Sequence, residues 1–205
     1  MNDTLIFPRI VRRKSYRRTK KGTFYKDYTK YRQEIREDCQ GRCVYCDCHE
    51  NELGGKESMN LDHLRPKGNS NFAHLINNPN NLVWSCSRCN NLKGDHWPAM
   101  DPNVTFDGDI GFLDPFGVNR LHYFRIISDG ALQPLQPPAS YMIEILGLNS
   151  HTPRKRREQR IIAANQIAMI DKLLETNRGG ITDEAVRVLE QNRAYLEKQL
   201  DFCLY

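Results

Sequence analysis

Cys43-Val44-Tyr45-Cys46 and Cys86-Ser87-Arg88-Cys89 bracket two short segments, Leu61-Asp62-His63-Leu64-Arg65-Pro66 and Asn81-Leu82-Val83-Trp84. The second pair runs on as Asn90-Asn91-Leu92-Lys93-Gly94-Asp95. A C-x-x-C pair offers two thiolates from one tight turn, and two pairs complete the tetrahedral, all-sulfur set of a structural zinc. The interval between them exceeds that of a minimal zinc ribbon, so another segment is inserted there. Cys39, Cys48 and His49 are alternative ligands beside the first pair. They rank lower because they break the symmetry of the two pairs. The bland alternative is a set of buried free thiols.

Around these pairs the local pattern is readable. Met59 to His63 suits a short strand, and Leu82 to Ser85 a second. Cys86 to Lys93 reads as a helix that Gly94 and Pro98 end. Asn51 to Glu57, with Gly54-Gly55, reads as a loop, and so does the polar stretch from Pro66 to Asn80. Neighbouring side chains of a strand point to opposite faces. Asp62 and His63 can therefore serve one site only where the strand ends or twists. An imidazole titrates near neutrality and suits proton abstraction from water. Asp and Asn oxygens are hard donors that favour Mg²⁺ or Mn²⁺ over zinc. Taken alone, His63 reads as a hydrogen-bonded core histidine and Asp62 as an exposed strand-end carboxylate. Asn81 and Asn90 read alone as turn and cap residues. His74, His96, His122 and His151 read as structural or surface residues.

The ordered set C-x-x-C, D-H-x-x-P, N-L-V, C-x-x-C-N-x-x-K-G resembles the HNH endonuclease superfamily. It covers Cys43 to Asp95, about a quarter of the chain. The resemblance implies an α+β fold with a ββα-metal core, pinned by a structural zinc on Cys43, Cys46, Cys86 and Cys89. It implies a separate catalytic Mg²⁺ or Mn²⁺ held by Asp62 and Asn90, with Asn91 as the alternative to Asn90. His63 would be the general base and Asn81 would brace the loop near it. Lys93 would help to hold phosphate.

Residues 1 to 32 hold eleven Lys/Arg against Asp3 and Asp27, a local +9 in a chain whose net charge is +5. Such a block attracts polyanions through Coulomb forces and counterion release, or else forms a solvated tail. The interleaved Tyr16, Phe24, Tyr25, Tyr28 and Tyr31 favour a nucleic-acid surface. Residues 1 to 22 read as a basic arm and 24 to 38 as a helix with Tyr28, Tyr31 and Ile35 on one face.

Beyond the motif, Tyr123 to Ile127 followed by Ser128-Asp129-Gly130 predicts a strand entering a hairpin turn. The rest of 101 to 149 reads as irregular and β. Thr152 with Pro153 predicts a helix start, with an apolar stripe through Ile162, Met169 and Leu173 to about Asn177. Arg178-Gly179-Gly180 breaks it, and Thr182 caps a second helix with Ala185, Val188, Leu189, Leu196 and Leu200 on one face. The Arg154-Lys155-Arg156-Arg157 run is a second basic patch at a helix start, which reads either as a phosphate contact or as a solvated first turn; basic charge there opposes the helix dipole and hints at an anionic partner. The expected organisation is a basic arm and helix (1–38), an HNH core (39–100) and an accessory segment ending in a helical hairpin (101–205).

With 39% hydrophobic and 27% charged residues the composition is that of a globular protein. No apolar run reaches the roughly 18 residues that a membrane span needs. The N-terminal residues have no apolar core of a secretory signal. Seven cysteines, an odd number, argue against a disulfide framework and for a reducing cytoplasm.

The stretches Gly111-Phe112-Leu113-Asp114-Pro115 and Ile143 to Asn149, with the overall layout, resemble the small HNH proteins of bacterial anti-phage systems. The likeness is to the Septu-type HNH subunit, also found with some retrons. That resemblance implies a nuclease gated by a partner ATPase of the SMC/ABC-like class, with DNA ahead of RNA as substrate. One rival reading is a stand-alone or restriction-type endonuclease. Another is a non-catalytic zinc-knuckle module that binds nucleic acid, for which Asp62, His63 and Asn90 would be superfluous.

Overall fold

The computed structural model describes residues 6–99, 101, 103–176 and 180–204, with side chains through Leu200. The first five residues of the basic arm, and Arg178-Gly179 of the break between the last two helices, lie outside the described residues.

Strands β1 (Met59–His63) and β2 (Leu82–Cys86) pair antiparallel, with Met59 opposite Cys86 and His63 opposite Leu82. The apolar run of β2 matches its burial along the whole strand. Helix α1 (Arg32–Asp38) packs on β2, and helix α2 (Ser87–Lys93) follows it directly. The Cys86 sulfur accepts the Cys89 amide at 3.4 Å, so the second cysteine pair caps α2 as well. Gly94 ends the helix with a φ of 49°, a left-handed backbone that favours glycine. A two-stranded hairpin alone is marginal in water. This one is tied to the first cysteine pair by the Val44 amide, which donates to the Trp84 carbonyl at 3.0 Å. Trp84 is fully buried; its indole N–H donates to Glu50, and the Arg32 guanidinium lies 4.7 Å from its ring.

The N-terminal segment departs from the reading as a loose basic arm. Ile6, Phe7, Ile10 and Tyr16 are buried in the common core, and Phe7 packs on Phe124 at 5.2 Å. Arg13 and Arg17 pair with Glu34, Glu37 and Asp38 around α1. The segment forms neither helix nor strand despite the helical spacing of Ile6, Phe7 and Ile10, so periodicity does not reveal how it packs. The helix expected from residue 24 starts later, as a 3-10 turn (Tyr28–Tyr31) leading into α1. Asp27 fixes that start by accepting the Thr29 amide.

In the accessory segment, β3 (Phe106–Asp107) pairs with β4 (Ile110–Gly111), and β5 (Phe124–Ile126) with β6 (Leu132–Pro134). The second pair is the hairpin expected around Asp129-Gly130. Helix α3 (Ala139–Ile145) falls in a stretch expected to be irregular and β. Its buried Ala139 and Met142, followed by the buried Leu146, carry a helical spacing that begins directly after Pro137-Pro138.

Helix α4 (His151–Thr176) starts one residue before the expected Thr152 cap. Pro153 still falls in the first turn, where an amide proton is dispensable. Helix α5 (Asp183–Leu204) is capped by Thr182, which accepts the Ala185 amide, and α4 and α5 pack on each other with Arg193 bonded to Asp171. The apolar stripe needs correction. Ile162, Met169 and Leu173 face solvent, Met169 being 68% exposed. What α4 buries instead is Pro153, Arg157, Arg160 and Ile161. No helix among the described residues is long and apolar enough to cross a membrane.

Candidate active site and metal centre

The Sγ atoms of Cys43, Cys46, Cys86 and Cys89 all lie within 4.8 Å of one another, and all four residues are buried. Cys46 and Cys86 sulfurs stand 3.8 Å apart. A tetrahedron with metal–sulfur bonds of about 2.3 Å has edges of about 3.8 Å, so this cluster fits a zinc-sized cation. Burial pushes the Cys43 thiol up, while Cys86 is pushed down by hydrogen bonds from Cys43, Cys46 and Cys89. A bound cation would favour the deprotonated form of all four sulfurs. Of the alternative ligands, Cys39, Cys48 and His49 lie outside this cluster. Burial pushes the Cys39 thiol up to about 12.

The oxygen and nitrogen donors of the motif converge on a second place. A cavity of about 340 Å³ is lined by Asp62, His63 and Asn90, together with Leu61, Pro66, Lys67, Asn91, Gly94 and Asp95. Asp62 and His63 reach it together because His63 is the last residue of β1. The Tyr45 hydroxyl donates to Asp62 Oδ2 at 2.6 Å. Burial pushes the Asp62 carboxyl up, against the pull of Lys93 and Tyr45.

His63 Nε2 lies 2.9 Å from the Ile76 carbonyl oxygen. A carbonyl only accepts, so Nε2 carries the proton and Nδ1 keeps a lone pair. The Tyr28 ring meets the imidazole edge-on at 4.7 Å. Burial pulls the His63 pKa below its ordinary 6.5, while the Ile76 and Asp62 contacts push back. Asn81 spans the Arg65 backbone, accepting its amide and donating to its carbonyl, both at 2.9 Å.

Lys93 is not where a phosphate-holding role needs it. It is fully buried; its ammonium donates to the His63 carbonyl at 2.9 Å and lies 3.6 Å from Asp62 Oδ1. The last turn of α2 packs against β1, so its side chain points inward. The exposed cation on the cavity is Lys67, whose ammonium sits 3.4 Å from the Tyr28 hydroxyl. Sequence reasoning missed Lys67 although it follows Pro66 directly. It also missed Tyr45, which lies inside the first cysteine pair.

No protein-family profile matches the chain, and no solved structure does. Among curated proteins, the chain is similar to Septu protein PtuB of Bacillus thuringiensis, with 28% identity over 136 residues. That match covers 65% of this chain and 46% of the relative, so the chain spans about half the length of the curated protein it resembles.

Proposed function

We propose that this protein is a metal-dependent nuclease of the HNH type that hydrolyses phosphodiester bonds, in DNA before RNA, as part of an anti-phage defence complex with an ATPase partner. The observation that carries the nuclease reading is one cavity lined by Asp62, His63 and Asn90. The β1–β2–α2 arrangement around it is the order that a ββα-metal core requires. Asp62 and Asn90 offer hard oxygens that would hold Mg²⁺ or Mn²⁺. Such a cation supplies charge stabilisation at the phosphate and the leaving oxygen. His63 Nδ1 takes the proton of the attacking water. Tyr45 and Lys93 orient Asp62, and Asn81 braces the loop behind the base. Lys67, rather than Lys93, meets substrate phosphate.

The defence role is supported by the similarity to Septu protein PtuB. The ATPase partner is what the resemblance to the Septu-type HNH subunit implies. The test is a cleavage assay on plasmid DNA with Mg²⁺ or Mn²⁺, using the complex purified by tagging this protein in its native host. Divalent-dependent nicking that is lost in His63→Ala supports the reading. A wild-type complex that binds DNA and leaves it intact under these conditions favours the non-catalytic alternative. A tagged protein recovered alone, yet cutting, favours the stand-alone endonuclease.

A further inference from the structure

Four arginines from three segments are buried around the first cysteine pair: Arg42, Arg120, Arg157 and Arg160. Two of them have carboxylate partners. Arg42 and Arg160 share Asp47, and Arg160 also bonds Glu52. The other two have none among the described residues. Arg120, 3% exposed, donates to the carbonyls of Val44 and Pro8, and Val44 lies between the first two cysteines. Arg157, 1% exposed, donates to the carbonyls of Gly130 and Leu148. Its Nη1 has no hydrogen-bond partner among the described residues. Carbonyl bonds satisfy donors but leave the charge uncompensated, and a buried unpaired charge is strongly disfavoured.

Asp47 attracts both guanidinium groups, but it is already shared by Arg42 and Arg160. The remaining attraction comes from sulfur: Arg120 interacts electrostatically with Cys39 and Cys43, and Arg157 with Cys48 and Cys46. Next to Arg157, the Arg156 guanidinium donates to Cys48 Sγ at 3.8 Å. Four thiolates around a divalent cation carry a net charge of −2. Two unpaired buried guanidinium groups carry +2. We propose that Arg120 and Arg157 are the counter-charges of a metal tetrathiolate at Cys43, Cys46, Cys86 and Cys89, so that metal loading holds the start of α4 against the cysteine cluster. Within the basic run at the start of α4, Arg154 pairs with Asp129 and Lys155 with Glu158, so the tetrathiolate answers the two cations that follow them, Arg156 and Arg157. Arg160, on the next turn, adds a second anchor to Asp47 between Cys46 and Cys48.

The inference rests on the metal reading of the four cysteines, and the experiment separates the two. Zinc content of the full-length wild-type protein is measured first; absence of zinc sinks the metal reading itself. Zinc transfer to a chromophoric chelator is then compared for wild type, Arg120→Met, Arg157→Met and Arg157→Lys. Loss of an outer-shell partner typically weakens metal binding by about 10–100-fold. That loss is expected in both Met variants, with Arg157→Lys closer to wild type. Met variants that hold zinc as tightly as wild type overturn the proposal, as does an Arg157→Lys variant as leaky as Arg157→Met. Should the variants fail to fold, amide hydrogen exchange of the wild-type protein decides. Stripping zinc is expected to deprotect residues 151–161, and continued protection there overturns the coupling.

Discussion

The Lys93 ammonium donates to the His63 carbonyl oxygen at 2.9 Å, holding the end of β1 from beneath. Burial pushes Lys93 down and Asp62 up, each toward its neutral form, while their mutual attraction opposes both shifts. The fold therefore holds this pair together more than the pair holds the fold. Removing one partner is a different matter. Lys93→Met leaves Asp62 buried without its cation, a change that typically costs about 3–5 kcal/mol. Urea denaturation is expected to show a loss of that order. A phosphate-contacting lysine would leave the midpoint near wild type, so an unchanged midpoint would reverse the assignment.

His63→Ala is expected to lower cleavage by roughly 10²–10⁴-fold, the usual worth of a positioned base. Zinc content should not change, since the cysteine sulfurs make no bond to His63 among the described residues. Asp62→Ala should lose cleavage through its metal, with partial recovery in excess Mn²⁺; His63→Ala should show none, because a cation does not accept a proton. Wild-type activity should rise with pH, and burial places the midpoint of that rise below 6.5. Metal titrations and a pH–rate profile check these outcomes. Wild-type rates in folded His63→Ala would remove the base from this mechanism.

One zinc per chain is expected from the cysteine cluster. Zinc-finger-like sites contribute apparent binding energies of about 10–16 kcal/mol at neutral pH. Cys86 both joins the cluster and caps α2. Cys86→Ser should therefore lose zinc and solubility together. Elemental analysis and circular dichroism read this directly, and a well-folded, zinc-free Cys86→Ser would show that the cluster is not structural.

The exposed Lys14, Lys20, Lys21 and Lys26 have no ion pair among the described residues. Deleting the whole arm is a poor test, because Ile6, Phe7, Ile10 and Tyr16 belong to the core. Replacing the four lysines by alanine should weaken nucleic-acid binding and flatten its salt dependence. The slope of log affinity against log salt falls by about 0.9 for each duplex phosphate that is no longer neutralised. An unchanged slope would make this surface a solvated one. Phosphate contacts carry no base information, so sequence preference should stay the same.

By itself the sequence determined the elements whose cause is local. Strand β1 ends where expected, α2 starts at its cysteine cap and stops at Gly94, and the Asp129-Gly130 turn joins two strands. Fixed cysteine spacing also selected the four residues that cluster. Turn chemistry, capping and ligand spacing act over a few residues, so a linear reading captures them. Tertiary structure alone decided what each side chain meets. Lys93 and Lys67 are both cationic and both near the motif, but only packing of α2 on β1 buries the first and leaves the second at the cavity. Ile162, Met169 and Leu173 have the period of a core stripe and face solvent, while Arg157 and Arg160 of the same helix are buried. Periodicity specifies that a helix has two faces. Which one is covered depends on the charge and shape of a distant surface: Arg160 is buried because it meets Asp47, 113 positions earlier in the chain.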